Sequence, residues 1–311
     1  MSPYLKILRL PNLGIIVLTQ YLLRYCVINT WYGHSGLSAA FSNFDFALLV
    51  FSTLLIAAGG NIINDIFDVE TDKINKPEKM LIDKAIPLLW VKILYFSLSI
   101  FGSIIGFYLA YRVGNFQLGL IFPGIAIMLF LYSKTYQKIF LLGNIIISSL
   151  SAMVIFIVWL FEFFALLSEP MIYANVQNSL KFISYFFFAY SLFAFIVSMV
   201  REILKDAEDI EGDQESGYNT LAIIYGTKVV QYFASLLIIL GMAFLAYAQY
   251  WLYEQGFQLI VWYLGISVQV LFVYVLYYTI TAKSKKDFHS VSNAVKIIML
   301  AGILSMQLFC V

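Results

Sequence analysis

Long apolar runs separated by short polar segments make up most of the chain. Each run has about 20 residues, the length that an α-helix needs to cross a hydrocarbon core of roughly 30 Å. The pattern therefore predicts an all-α, polytopic membrane protein with nine transmembrane helices. The predicted spans cover residues 13–33, 44–64, 88–111, 116–132, 142–167, 180–200, 226–250, 257–281 and 293–311.

Composition supports a membrane location. Of the 311 residues, 62% are hydrophobic and 12% are charged, whereas soluble domains average about a quarter charged residues. Membrane lipids are therefore the expected surroundings. The net charge of +1 gives no reason to expect a nucleic-acid partner.

The basic residues predict the orientation. If the N-terminus is cytoplasmic, sixteen of the nineteen lysines and arginines fall at inside ends and loops, and only Arg24, Arg112 and Lys181 do not. Such a bias is typical of cytoplasmic segments of membrane proteins. We therefore expect a multi-pass protein of the cell membrane, with its N-terminus and both acidic segments described next on the cytoplasmic side.

Thirteen of the eighteen acidic residues fall in two segments, residues 61–83 and 201–215. Each segment carries aspartates at i, i+3 and i+7, a spacing that places all three on one face of a helix. Like charges stacked in this way repel each other, so the pattern favours bound cations. The two sets are Asp65, Asp68 and Asp72, and Asp206, Asp209 and Asp213.

The two sets predict an internal repeat. Asp68 and Asp209 are 141 residues apart, and each set follows an even-numbered span. A parallel duplication of helical bundles would place both sets on the same membrane side, around a shared central cavity. We predict two pseudo-repeated bundles within one membrane domain that covers residues 1–311.

The chemistry of these groups favours Mg²⁺ and an anionic ligand. Carboxylate oxygens suit Mg²⁺, which is often held by one or two carboxylates together with substrate phosphates. His34 and His289 stand alone and are expected in loops or at the interface, not at a zinc site. Basic residues accompany both sets and could neutralise a diphosphate, although each could also be a positive-inside anchor. They are Lys73, Lys76, Lys79, Arg201 and Lys205.

At the level of motifs, the chain resembles the UbiA superfamily of intramembrane prenyltransferases. The family pattern N-x-x-x-D-x-x-x-D is matched by Asn64, Asp68 and Asp72, and its second pattern, D-x-x-x-D, by Asp209 and Asp213. The R-L-P-N segment that ends at Asn12 also looks like a family position. The resemblance covers essentially the whole chain.

This resemblance implies Mg²⁺-dependent transfer of a prenyl chain from its diphosphate to an acceptor. By position, the metal ligands would be Asn64, Asp68, Asp72, Asp209 and Asp213, with Asp65 and Asp206 as further candidates, and the four matched aspartates would be the catalytic ones. The implied substrate-binding residues are Asn12, Arg24, Asn64, Lys79, Tyr132, Lys138, Arg201 and Lys205. The chain departs from the family in having Lys79–Met80 where Arg–Pro is common, and Gln137 where a lysine is usual.

The acceptor is less well specified. The segment from Arg201 to Asp213 looks most like the branch that transfers geranylgeranyl groups to a prenylglyceryl phosphate. An aromatic acid of quinone biosynthesis is the alternative acceptor, and a transporter or lipid-binding protein is the alternative without catalysis. The sequence leaves the oligomeric state open.

Arg24 is the unusual cation within a predicted span, because a charge at this depth is costly unless it has a partner or faces a polar cavity. We expect Arg24, with Gln20 one turn before it, to face the central cavity near the acceptor. The alternative is an arginine that extends to the outer interface.

Overall fold

The computed structural model describes residues 3–33, 36–75, 81–82 and 84–310. This part of the chain is built from α-helices with short π-helical and 3₁₀ segments at their junctions. The helices are α1 (Pro3–Ile7), α2 (Leu10–Leu22), α3 (Asn29–Gly33), α4 (Asn43–Phe67), α5 (Val69–Asn75), α6 (Leu88–Arg112), α7 (Ile121–Lys134), α8 (Leu142–Leu167), α9 (Pro170–Glu208), α10 (Ile210–Glu215), α11 (Leu221–Glu254), α12 (Gln258–Tyr263), α13 (Val270–Thr281) and α14 (Lys285–Ser305).

Nine helical stretches of the described residues are long and apolar enough to cross a membrane, which confirms the nine predicted spans. Several of them extend beyond the apolar run, because backbone hydrogen bonding continues through polar turns. The stretches are Leu10–Gly33, Asn43–Phe67, Leu88–Arg112, Phe116–Lys134, Leu142–Leu167, Ser179–Glu208, Leu221–Glu254, Gln258–Thr281 and Lys285–Cys310.

Two of these extensions have identifiable causes. The last stretch begins eight residues before its predicted start because Ser284 and Asp287 form a capping box, in which each side chain binds the other's backbone N–H. The seventh stretch contains a non-helical residue, Gly226, with φ 81° and ψ 169°. This break coincides with the start predicted from the apolar run, and glycine adopts such a conformation without a Cβ penalty.

The chain divides into two compact units. The first contains Met1–Tyr136 and Val154–Phe187, and the second contains Gln137–Met153 and Phe188–Val311. The first acidic motif belongs to the first unit and the second motif to the second unit.

Within the first unit, α4 and α6 approach each other closely through small residues. Gly102 and Gly106 form a G-x-x-x-G pattern on α6, and the Ser52 hydroxyl donates to the Gly102 carbonyl at 2.7 Å. A Cβ atom on Gly102 would lie 2.9 Å from Cδ1 of Ile56 on α4, and a Cβ atom on Gly106 would lie 2.1 Å from Cδ2 of Phe122 on α7. Small residues allow this approach of helices in a membrane, where packing rather than water exclusion drives association.

An apolar cluster surrounds the end of α4 that carries the first motif. Its buried members come from α1, α4, the segment around residues 82–86 and the start of α6, so four parts of the chain hold this helix end. They are Ile7, Ile62, Ile63, Ile82, Ile86, Val91 and Tyr95.

Candidate active site

The first motif lies at the junction of α4 and α5. Asp68, with φ −89° and ψ 4°, separates the two helices. Its backbone N–H donates to the Asn64 carbonyl at 2.9 Å, and its carbonyl accepts from the Asp72 N–H at 2.7 Å. The Asn64 side-chain amide also donates to the Asp68 carboxylate. The amide thus orients the central carboxylate of the motif.

Asp65, predicted to belong to the same stripe, has a basic partner. Its carboxylate forms an ion pair with Arg9, which lies between α1 and α2. Arg9 has φ 55° and ψ 55°, a left-handed conformation that is uncommon for a residue with a side chain. The neighbouring carbonyl of Leu8 accepts from the Asn61 amide at 3.0 Å. Asp65 therefore anchors the N-terminal segment to α4.

Asn12 follows in the first turn of α2. Its backbone N–H donates to the Arg9 carbonyl at 2.9 Å, and the residue is exposed. The predicted Asn12 is thus close in the chain to the Arg9 turn that pairs with the first motif.

The second motif repeats the backbone geometry of the first. Asp209, with φ −97° and ψ 11°, separates α9 from α10. Its N–H donates to the Lys205 carbonyl at 3.0 Å, and the Asp213 N–H donates to the Asp209 carbonyl at 3.1 Å. Both aspartates are buried.

These geometries correct the continuous helical face predicted for each stripe. In both motifs the helix is broken at the central aspartate, while the backbone hydrogen bonds of one-turn spacing persist across the break. The i, i+4 relationship therefore survives, although the central aspartate of each motif lies outside both helices. The i, i+4, i+8 set of Asn64, Asp68 and Asp72 spans such a break.

Asp206 is held by a residue that the sequence did not reveal. The Asn144 side-chain amide, on the first turn of α8, donates to the Asp206 carboxylate at 2.9 Å. Asn144 is buried. A polar residue at the start of an otherwise apolar helix was the available signal, but its partner lies 62 positions further along the chain.

The loop that carries Lys138 is fixed to the segment after the second motif. The Asn219 N–H donates to the Lys138 carbonyl at 2.8 Å, and Nζ of Lys138 lies 5.1 Å from the centre of the Tyr218 ring. Gln137, which stands where the family usually has lysine, donates to the Tyr218 hydroxyl at 3.0 Å. The Tyr218 N–H in turn donates to the Asp213 carbonyl at 2.9 Å.

The other predicted substrate-binding residues are spread over both units. Arg201 forms an ion pair with the neighbouring Glu202. Lys205 is half-buried one turn before Asp209, and Tyr132 is half-buried on α7. Lys79 lies outside the described residues.

Arg24 is buried and does not extend to the outer interface, which was the alternative placement. It is 2% exposed, and its guanidinium lies 2.6 Å from the Glu162 carboxylate. It also donates to the Phe41 carbonyl. The Glu162 carboxylate accepts from the N–H groups of Ala40, at 2.7 Å, and Phe41, at 3.3 Å. This buried ion pair fastens the loop before α4.

Gln20 is likewise engaged in packing. It is fully buried and its amide donates to the Val154 carbonyl at 3.0 Å. The expectation that Arg24 and Gln20 face the central cavity near the acceptor stays a prediction, and the structure adds that the charge of Arg24 is matched by Glu162. Pairing between the two charges also argues against an ion pathway along these helices.

The donor atoms of the motifs fit Mg²⁺. Among the residues that the structure describes, no three His, Cys, Asp or Glu side chains form a complete metal site. Mg²⁺ does not require one, since it commonly keeps several waters and takes one or two carboxylates plus substrate phosphates. The amide and carboxylate oxygens of Asn64, Asp68 and Asp72 are ligands of this type.

In the described part of the chain, nine helices of membrane-spanning length and two acidic motifs with matching backbone geometry are the features of a helical membrane protein with a candidate metal site. The family model of the UbiA prenyltransferase family matches residues 26–297. The chain belongs to this family and is a prenyltransferase, as its motifs predicted.

Individual proteins that are similar to this chain support the same family assignment. A digeranylgeranylglyceryl phosphate synthase from Methanosphaera stadtmanae is 28% identical over 98% of each chain. A solved structure from work on digeranylgeranylglyceryl phosphate synthase in membranes is similar with a TM-score of 0.60 and 26% identity over 98% of each chain. A UbiA homologue from Archaeoglobus fulgidus, bound to DMAPP and Mg²⁺, has the same fold, with a TM-score of 0.54 and 15% identity over 98% of this chain and 99% of the other.

Proposed function

We propose that this prenyltransferase moves a geranylgeranyl-like chain from its diphosphate to the free hydroxyl of a prenylglyceryl phosphate. The observation that carries the donor half is the repeated broken-helix geometry at Asp68 and Asp209. The acceptor half rests on the similarity, over nearly the full length, to a digeranylgeranylglyceryl phosphate synthase.

The carboxylates would hold Mg²⁺ against the donor. The first motif would contribute Asn64, Asp68 and Asp72, and the second would contribute Asp206, Asp209 and Asp213. When bound, Mg²⁺ would neutralise the charge that develops on the leaving diphosphate. The structure of the Archaeoglobus fulgidus homologue with DMAPP and Mg²⁺ supports this assignment by analogy of fold.

The proposed prenyl transfer needs only the diphosphate donor and the acceptor hydroxyl as reactants. The allylic carbon–oxygen bond breaks with its electron pair on the diphosphate, and the acceptor hydroxyl attacks the carbocation and gives up its proton to the released diphosphate or to water. Asn64 contributes by orienting the Asp68 carboxylate through its amide. Asn144 does the same for Asp206.

The basic residues would bind the anionic groups of donor and acceptor. Lys205 precedes Asp209 by one turn, and Lys138 is tied to the segment that follows Asp213. We assign these two to the donor diphosphate, together with Arg201 and Lys79. Asn12 and Tyr132 remain proposed substrate-binding residues.

The charge distribution supports the proposed orientation. Sixteen of the nineteen lysines and arginines fall at the ends and loops predicted to be inside, and such a bias is typical of the cytoplasmic side. Water-soluble diphosphate would then leave into the cytoplasm.

The deciding experiment is a transfer assay with purified protein in lipid. Radiolabelled geranylgeranyl diphosphate and Mg²⁺ would be supplied with geranylgeranylglyceryl phosphate, 4-hydroxybenzoate or a dihydroxynaphthoate. We expect labelled ether lipid only with the glyceryl phosphate, and none from Asp68→Ala or Asp209→Ala. Product with an aromatic acid instead would overturn the acceptor, and no Mg²⁺-dependent product with any acceptor would overturn the reaction.

A further inference from the structure

A polar chain on α14 ends at the residue immediately before the second motif's central aspartate. Nζ of Lys296 donates to the Asn293 side-chain oxygen at 2.8 Å. The Asn293 amide nitrogen is 2.9 Å from Nε2 of His289, and Nδ1 of His289 is 2.9 Å from the Glu208 carboxylate. Glu208 is the last residue of α9 and is followed by Asp209.

The hydrogen-bonding capacities of these groups fix the direction of the chain. Since Lys296 only donates, Asn293 must accept through its oxygen and present its amide N–H groups to His289. Nε2 of His289 then accepts, so Nδ1 carries the proton and donates to Glu208. Asn293 thus orients the His289 ring, and the ring orients the Glu208 carboxylate.

Glu208 needs such a partner. Its side chain is 9% exposed, whereas His289 is 53% exposed. A buried carboxylate without a hydrogen-bond partner is costly, and this one adjoins a segment that already contains Asp206, Asp209 and Asp213. The bond to His289 commits one Glu208 oxygen to α14.

In the first motif, the residue before the central aspartate is held by an apolar contact. The residue before Asp68 is Phe67, which packs against the apolar cluster at the end of α4 and edge-on against Phe130 with ring centres 5.6 Å apart. Both residues that precede a helix break are therefore held by another helix. In the first motif the contact is apolar, and in the second it is polar.

We infer that His289 is a positioning residue for the second motif, acting through Glu208 to hold the break at Asp209 in its ligand-binding geometry. This inference rests on the proposed function, because it assigns the second motif to a metal–diphosphate site. Asn293 and Lys296 set the ring's orientation and need not contact the substrate.

The test measures metal binding directly. Mn²⁺ would be titrated into the full-length protein with inorganic diphosphate, and the bound ion counted by electron paramagnetic resonance. His289→Ala is expected to weaken Mn²⁺ binding by about tenfold, which is typical when a residue supporting a metal ligand is lost. His289→Gln, which retains an N–H donor, is expected to restore most of the affinity. The exposed Lys286→Ala, on the same helix, is the matched control and should bind as the wild type does.

The route through Glu208 is tested by a double-mutant cycle. If His289 acts through Glu208, adding His289→Ala to Glu208→Ala should weaken binding no further. Losses of Mn²⁺ affinity that add in the double variant would overturn the inference. A His289→Ala protein with the affinity and the melting temperature of the wild type would also overturn it. If the wild type itself bound no Mn²⁺ with diphosphate, the proposed function would fail as well. Normal wild-type binding combined with an unaffected His289→Ala protein would overturn only the role of His289.

Discussion

Asp68 and Asp209 share one backbone conformation, with φ and ψ of −89° and 4° for the first and −97° and 11° for the second. Each ends a membrane-spanning helix and is followed at once by a short one. Each also keeps a hydrogen bond to the residue four before it and from the residue four after it. Other helix ends, such as Val113 and Gln255, have the same conformation, but at Asp68 and Asp209 a second helix follows at once.

The central aspartates should be equally necessary. Asp68→Asn and Asp209→Asn keep the side-chain size but remove the negative charge that a metal ligand needs, so each should lower kcat on the order of 100-fold or more. Initial rates of diphosphate release would measure the loss. Glu211→Gln, an exposed acid between Asp209 and Asp213, is the control and should change the rate little.

The ion pair between Arg9 and Asp65 should matter more for activity than for stability. Because both side chains are partly exposed, its loss should cost no more than about 1 kcal/mol of unfolding free energy. Arg9→Ala would nevertheless remove a positive charge that lies against Asp65, and so make the surroundings of the neighbouring Asn64 and Asp68 more negative. We expect kcat to fall on the order of tenfold.

The double variant distinguishes this explanation from direct contact between Arg9 and substrate. Adding Asp65→Asn to Arg9→Ala should recover most of the rate, because it restores the net charge beside the first motif. A double variant as slow as Arg9→Ala would contradict the role assigned to Asp65.

The buried pair of Arg24 and Glu162 should determine stability. Arg24→Met or Glu162→Gln alone leaves a buried polar group without its partner, and removal of one member of such a pair typically costs about 3–5 kcal/mol. Thermal unfolding of purified protein in detergent would show the loss. The combination Arg24→Met with Glu162→Leu should be less harmful than the sum of single substitutions, and strict additivity would argue against the pairing.

Close packing of α6 gives a further prediction. Gly106→Ala would place a methyl group 2.1 Å from the Phe122 ring, so the helices must separate or the ring must move. Overpacking of this kind costs roughly 1–3 kcal/mol. Gly124→Ala, on α7, meets nothing within 4 Å and should leave the melting temperature unchanged or slightly higher.

The sequence by itself determined the fold class and the family. Apolar runs of membrane length predicted all nine spans, because the bilayer imposes both length and composition on every segment that crosses it. Spacing along the chain likewise identified Asn64, Asp68 and Asp72, and Asp209 and Asp213, since residues four apart are neighbours wherever one-turn hydrogen bonding persists.

Only the tertiary structure decided which polar groups are partners. Arg9 pairs with Asp65, Asn144 with Asp206, and Arg24 with Glu162, over separations of 56, 62 and 138 residues. Nothing in local spacing encodes such choices, because they depend on how helices pack. The structure likewise shows that α4 ends just before Asp68 and α9 just before Asp209, so that each acidic stripe is divided between two helices.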